Sequence, residues 1–116
     1  MGYITEYTLG IEQNDNNVAV DEINEFIQKE RKVNKDFMYV FYEDLEYNDA
    51  IYGEGKWYNF DEDMMKLSKA FPDVVFRLEG DGEESDDVWV TYYKDGKYQN
   101  AQRTVIIEEY NPNKLK

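Results

Sequence analysis

Two apolar runs held apart by an acidic insert constrain this chain more than any other feature. Val74–Leu78 and Val88–Tyr93 flank Glu79–Asp87, where six of nine residues are carboxylates and none is basic. In the first run Val74, Phe76 and Leu78 alternate with Val75, Arg77 and Glu79, the period of a strand with one buried face. In the second, Val88, Trp89, Val90, Thr91, Tyr92 and Tyr93 are all β-branched or aromatic, the residue types that suit a pleated surface. Gly80 and Gly82 supply a permissive backbone between the runs. The pattern predicts a β-hairpin with concentrated negative charge at its tip.

The rest of the chain supplies elements able to cover one side of a sheet. Tyr3, Thr5, Tyr7, Leu9 and Ile11 alternate with Ile4, Glu6, Thr8 and Gly10, a first strand with its odd positions inward. Glu12–Asn17 is a polar loop in which Asn17 stands where a helix cap belongs. Ala19–Arg31 then sets Ile23, Phe26 and Ile27 at helical spacing, with Val20 one turn back. Lys29, Arg31 and Lys32 near its end complement the helix dipole. Asp36–Tyr42 carries Phe37, Met38, Tyr39, Val40 and Phe41, a run that predicts a central strand. Ile51–Tyr58 predicts an edge strand interrupted by Gly53 and Gly55.

A second helix places Phe60, Met64, Leu67 and Phe71 on one stripe. Asn59 with Glu62 matches a capping box, Asp61, Glu62 and Asp63 suit the dipole, and Pro72 stops the helix. Lys94-Asp95-Gly96-Lys97 is a tight-turn signal leading into a last strand over Tyr98–Tyr110, strongest at Thr104–Ile107. The order strand, helix, strand, strand, helix, strand is βαββαβ, the split βαβ arrangement of a ferredoxin-like α+β sandwich, here with an added C-terminal β-hairpin. At 116 residues the chain is long enough for one domain, 1–116. No apolar run approaches the ~20 residues of a membrane span. Met1–Glu6 lacks the features of a signal peptide, and the absence of cysteine fits the cytoplasm, where the protein is expected.

Absences bound the chemistry. With no histidine and no cysteine, the usual zinc sites, cysteine nucleophiles and His-based triads are excluded. Neither Ser68 nor Ser85 lies in a nucleophile elbow, and Gly53-Glu54-Gly55 runs into Lys56-Trp57 rather than a helix start. The expectation is a protein with no catalytic residues, no cofactor and no metal. The net charge of −13 is segmental. Phe41–Met65 and Glu79–Asp87 together hold 14 acids and one base, Lys56, while the remainder balances 12 against 12. A segmental excess points to a charged face.

The run from Phe71-Pro72-Asp73-Val74 through Leu78-Glu79-Gly80-Asp81-Gly82-Glu83-Glu84 to Trp89 and Tyr93-Lys94-Asp95-Gly96-Lys97 resembles small proteins of phages and mobile elements, among them ferredoxin-like domains of the plasmid-borne YubB type. The resemblance covers the C-terminal third and implies fold and origin, with no catalytic residues to carry over. In size and charge alone the chain is also similar to anti-CRISPR DNA mimics, with which it shares no motif.

These readings converge on an acidic face that occupies a basic nucleic-acid site on a host protein, such as a CRISPR effector. Alternate residues on a strand face lie ~6.6–6.8 Å apart, comparable to successive phosphates along a nucleic-acid strand. The residues expected to meet the partner are Glu43, Asp44, Glu46, Asp49, Glu54, Glu79, Asp81, Glu83, Glu84, Asp86 and Asp87. Neither direct nucleic-acid binding nor a membrane is expected. Two other readings stand beside this one. The acidity serves only solubility, or Asp81, Glu83, Glu84, Asp86 and Asp87 bind a divalent cation weakly, although the order of an EF-hand loop is not met.

Overall fold

Alternation decides which side of the sheet is buried. The computed structural model describes residues 4–83, 87–101 and 110–114. Strand β1 (Thr5–Asn14) turns Thr5, Tyr7 and Leu9 inward, and β3 (Val74–Asp81) does the same with Val74, Phe76 and Leu78. Helices α1 (Val20–Val33) and α2 (Phe60–Ala70) bring Ile23, Ile27, Met64 and Leu67 into one core with those strand residues. Phe26, Phe60 and Phe71 pack at the margin of that core. Lys66 of α2 pairs with Glu30 of α1 at 2.6 Å.

With β2 (Ile51–Gly55), β4 (Val88–Lys94) and β5 (Lys97–Ala101), the described residues form an α+β arrangement of two α-helices and a five-stranded antiparallel sheet in the order β2-β1-β3-β4-β5. The expected hairpin forms, Phe76 pairing with Tyr93 and Asp81 with Val88. Its first strand runs further than the alternation of Val74–Leu78 predicts, so Glu79 and Asp81 lie on the sheet rather than at the tip. Gly80 is likewise inside the strand. A Cβ there would lie 2.2 Å from the Trp89 indole, so the glycine makes room for a ring rather than a turn. At the β4–β5 turn, Asp95 and Gly96 both take positive φ, 52° and 70°, as a two-residue hairpin turn requires. The part of the predicted last strand beyond Ala101, including Thr104–Ile107, lies outside the described residues.

The predicted strand Asp36–Tyr42 is not a strand. Phe37, Met38, Val40 and Phe41 are all buried, which no alternating strand with one wet face allows. The backbone instead makes successive turns, with the amides of Phe37, Tyr39 and Phe41 bonding the carbonyls of Asn34, Asp36 and Met38. Arg31 donates to the carbonyls of Phe37, Met38 and Phe41, and Met38 donates its amide to Asp63. Side chains thus satisfy the polar backbone that a ladder would otherwise pair. One antiparallel bridge, Phe41 to Gly53, joins the segment to β2. A Cβ on Gly53 would stand 2.1 Å from the Val40 carbonyl oxygen, so the glycine that interrupts the predicted edge strand permits this backbone approach.

Two predicted caps also fail. Asn17 has φ of 50° and lies outside helix α1, whose N-cap is Ala19; the loop is pinned instead by Asn14, which bonds both the amide and the carbonyl of Val18. Asn59 is the N-cap of α2 but makes no side-chain cap bond, so no capping box with Glu62 forms.

Candidate interaction surface

The face of the sheet opposite α1 and α2 carries no described helix, residues 47–49 adjoin it beside Thr8, Gly10 and Arg77, and its charges fall in lateral rows. The register sets Glu54 of β2 beside Glu6 of β1, and Glu6 beside Asp81 of β3. Neighbouring strands are about 4.8 Å apart, so three carboxylates stand abreast at one end of the face. One step along the strands, Tyr52, Thr8 and Glu79 form the next row. Like charges directly opposite one another destabilise a sheet, so this end carries a standing electrostatic cost.

The two acidic segments, far apart in sequence, meet around Tyr52. A hollow of about 680 Å³ is lined by Glu6, Glu54, Glu79 and Asp81 together with the exposed rings of Tyr42 and Tyr52. On the other side of Tyr52, a second hollow of about 510 Å³ is lined by Glu43, Asp44, Glu46 and Asp49. The loop bearing these four is anchored by Leu45, which is buried and exchanges two backbone bonds with the Asn24 side chain. Burial pushes the Arg31 guanidinium down from its ordinary value, and the charge of Asp44 offsets part of that. Arg31 is thereby an internal staple of residues 37–41 rather than only a partner of the helix dipole.

Of the predicted interaction residues, Glu43, Asp44, Glu46, Asp49, Glu54 and Asp81 are exposed, and no described cation lies within ion-pair distance of them. Glu79 is half-buried, with Arg77 at 3.9 Å. Glu83 is exposed and accepts the Ile4 amide at 3.0 Å. Asp87 is half-buried at the foot of the hairpin loop, where its carbonyl accepts the amide of Gly82. Glu84 and Asp86 lie outside the described residues. Glu6 completes the carboxylate row, and charge windows miss it because its own stretch is neutral. Its outward position in the first strand is the signal that finds it.

The acids of α2 behave differently. Asp63 is only 8% exposed, and its Oδ2 accepts the Met38 amide at 3.0 Å and the Trp57 indole N–H at 2.7 Å. Burial raises its pKa above the ordinary carboxylate value, and those two bonds partly offset the rise. Asp61 accepts the hydroxyl of the buried Tyr93 at 2.5 Å, and burial followed by that bond pushes the Tyr93 pKa up. The charged face therefore excludes Asp61 and Asp63. Sequence reasoning takes them as dipole partners, yet Asp63 falls three residues after Phe60 and four before Leu67, on the apolar stripe itself.

Among the described residues, no group of three or more acids is placed to hold a metal ion, and no helix is long and apolar enough to cross a membrane. Comparison with family models, curated proteins and solved structures finds no match to this chain.

Proposed function

We propose that this chain is a non-catalytic, cytoplasmic interaction protein whose acidic end mimics nucleic-acid charge and blocks a basic nucleic-acid-binding site on a host protein. One observation carries the reading: carboxylates from β2, β1, β3 and the 43–49 loop gather around Tyr52, and among the described residues Arg77 beside Glu79 is the one cation within ion-pair distance of them. A row of like charges costs folding energy. A partner's basic groups would recover that energy on binding, and the field would steer the encounter. The exposed Tyr42 and Tyr52 rings add amphipathic contact area of the kind that anchors interfaces. An anti-defence inhibitor encoded by a phage or mobile element, acting on a CRISPR effector or similar enzyme, fits this chemistry.

On the same footing we read the scaffold as ferredoxin-like with an added hairpin. Antiparallel β2, β1 and β3 separated by two helices, and the bridge at Phe41 where a fourth strand would pair with β2, support that reading. The test is competition. A basic nucleic-acid-binding protein recovered on the immobilised chain should be displaced by duplex DNA and by rising salt, and the chain itself should bind no DNA. Capture that DNA leaves untouched and salt does not weaken contradicts the reading.

A further inference from the structure

The acidic end is only half of the open sheet face. The opposite corner carries Lys94 on β4 and Lys97 on β5, directly paired across the turn, while Arg77 of β3 stands mid-face, 3.9 Å from Glu79. A hollow of about 570 Å³ lies at this corner, lined by Val75, Tyr92, Lys94, Lys97 and Tyr98, with Asp95 its one acid among the described residues. The acidic hollow at the other end is of similar size, about 680 Å³, and among the described residues is lined by four carboxylates and no base. Half-buried apolar side chains join them: Val88 lines the acidic hollow, Val75 and Tyr92 the basic one, and Val90 lies between.

We propose that this face binds a second copy of the chain, the acidic corner of each copy lying on the basic corner of the other. The two corners are diagonally opposed. A two-fold axis between the sheets, perpendicular to the line joining the corners, therefore satisfies both contacts at once. This is an isologous interface in which one patch complements itself, with the strands of the two sheets crossing steeply. Complementarity is local and works against the overall charge of −13 on each copy. The contact forms where salt screens the long-range repulsion, with a Debye length of ~8 Å, and leaves the close pairs in place. Strands about 4.8 Å apart and ~3.4 Å per residue from Val75 to Asp81 make a face of roughly 19 by 20 Å. That is small for a specific interface, so the dimer is transient.

Sedimentation equilibrium at physiological ionic strength tests this. The wild-type chain should show reversible monomer–dimer exchange approaching millimolar protein. Lys94→Glu with Lys97→Glu should weaken it at least tenfold, roughly the least that like-charge contacts cost. Glu6→Lys with Asp81→Lys should do the same, and the neutral pair Lys94→Gln with Lys97→Gln should fall between. An equimolar mixture of the two charge-reversed variants should dimerise again, because each now supplies the charge the other lacks. Recovery in the mixture also shows that both variants are folded. A wild-type chain that stays monomeric at millimolar concentration overturns the proposal, as does a mixture of variants with wild-type near-UV spectra that fails to associate. Lys94→Glu with Lys97→Glu leaves the acidic end intact, so competition with nucleic acid should persist in it, and the two readings fail separately.

Discussion

Glu54 and Asp63 belong to the same base-poor stretch and lie nine positions apart, yet the fold uses them in opposite ways. Asp63 is enclosed by Met38 and Trp57, which both donate to one of its oxygens. Glu54 stands in the open beside Glu6, with Asp81 beyond. The first carboxylate holds the turns of residues 37–41 onto α2, whereas the second adds to a field directed at solvent. Counting charge by windows cannot separate them, and position relative to the apolar pattern can. Asp63 falls on the helix stripe; Glu54 falls on the outward parity of a strand.

The comparison breaks most readily at Asp63. Replacing it with Ala leaves two buried N–H donors without an acceptor and should cost about 2–4 kcal/mol in denaturant unfolding. Asp63→Asn, which keeps an acceptor, should recover part of that. A change below ~0.5 kcal/mol for Asp63→Ala would mean that the carboxylate is not internal in any energetic sense.

Tyr93→Phe comes next. It keeps the ring and removes the hydroxyl bond to Asp61, for an expected loss of about 1–2 kcal/mol. Asp61 lies at the surface end of the contact and regains water, which limits the cost.

A smaller effect sharpens the contrast through pH. The folded-state pKa of Asp63 is raised, so over the range between its unfolded and folded values the native state binds more protons than the unfolded state. Its contribution to stability therefore falls as pH rises upward from the ordinary carboxylate range, and levels off above the folded value. The stability of Asp63→Asn relative to wild type, followed by chemical denaturation from acid to neutral pH, should improve across that window. A flat difference would show that burial of Asp63 does not perturb its titration.

The smallest change in stability belongs to the outward row. Glu6→Gln, Glu54→Gln and Asp81→Asn should each be neutral or stabilising by up to ~1 kcal/mol, since each removes a like-charge neighbour. Destabilisation by any of them would place a structural partner on that row.

Much of the scaffold was legible because its cause is local. The outward and inward parity of Thr5–Leu9, the stripe through Met64 and Leu67, and the Asp95-Gly96 turn all follow from period or from backbone preference. What escaped depends on contacts between distant segments. Phe37–Phe41 is apolar enough for a strand, but Arg31 and Asp63 meet its backbone from two helices, and Met38 takes a φ of 50°. Gly80 looks like a turn residue until Trp89 is set against it across the hairpin. Glu6 enters the acidic row only once the register of three strands is known. The convergence of the 43–49 loop with Glu79 and Asp81 was legible as an excess of charge, though not as one place.

The central proposal is that the acids around Tyr52 act together as the partner-binding surface, whereas exposed acids elsewhere add little to that binding. Its most direct test compares two charge-reversed variants in displacing duplex DNA, at physiological salt, from the basic nucleic-acid-binding protein proposed as the partner. One carries Glu6→Lys, Glu54→Lys and Asp81→Lys; the other carries Glu12→Lys, Glu22→Lys and Asp36→Lys at exposed positions away from that row. Net charge changes equally in both. The account predicts that the first set loses at least tenfold in competition and the second stays near wild type. Equal losses from the two sets, or none from the first, would contradict it.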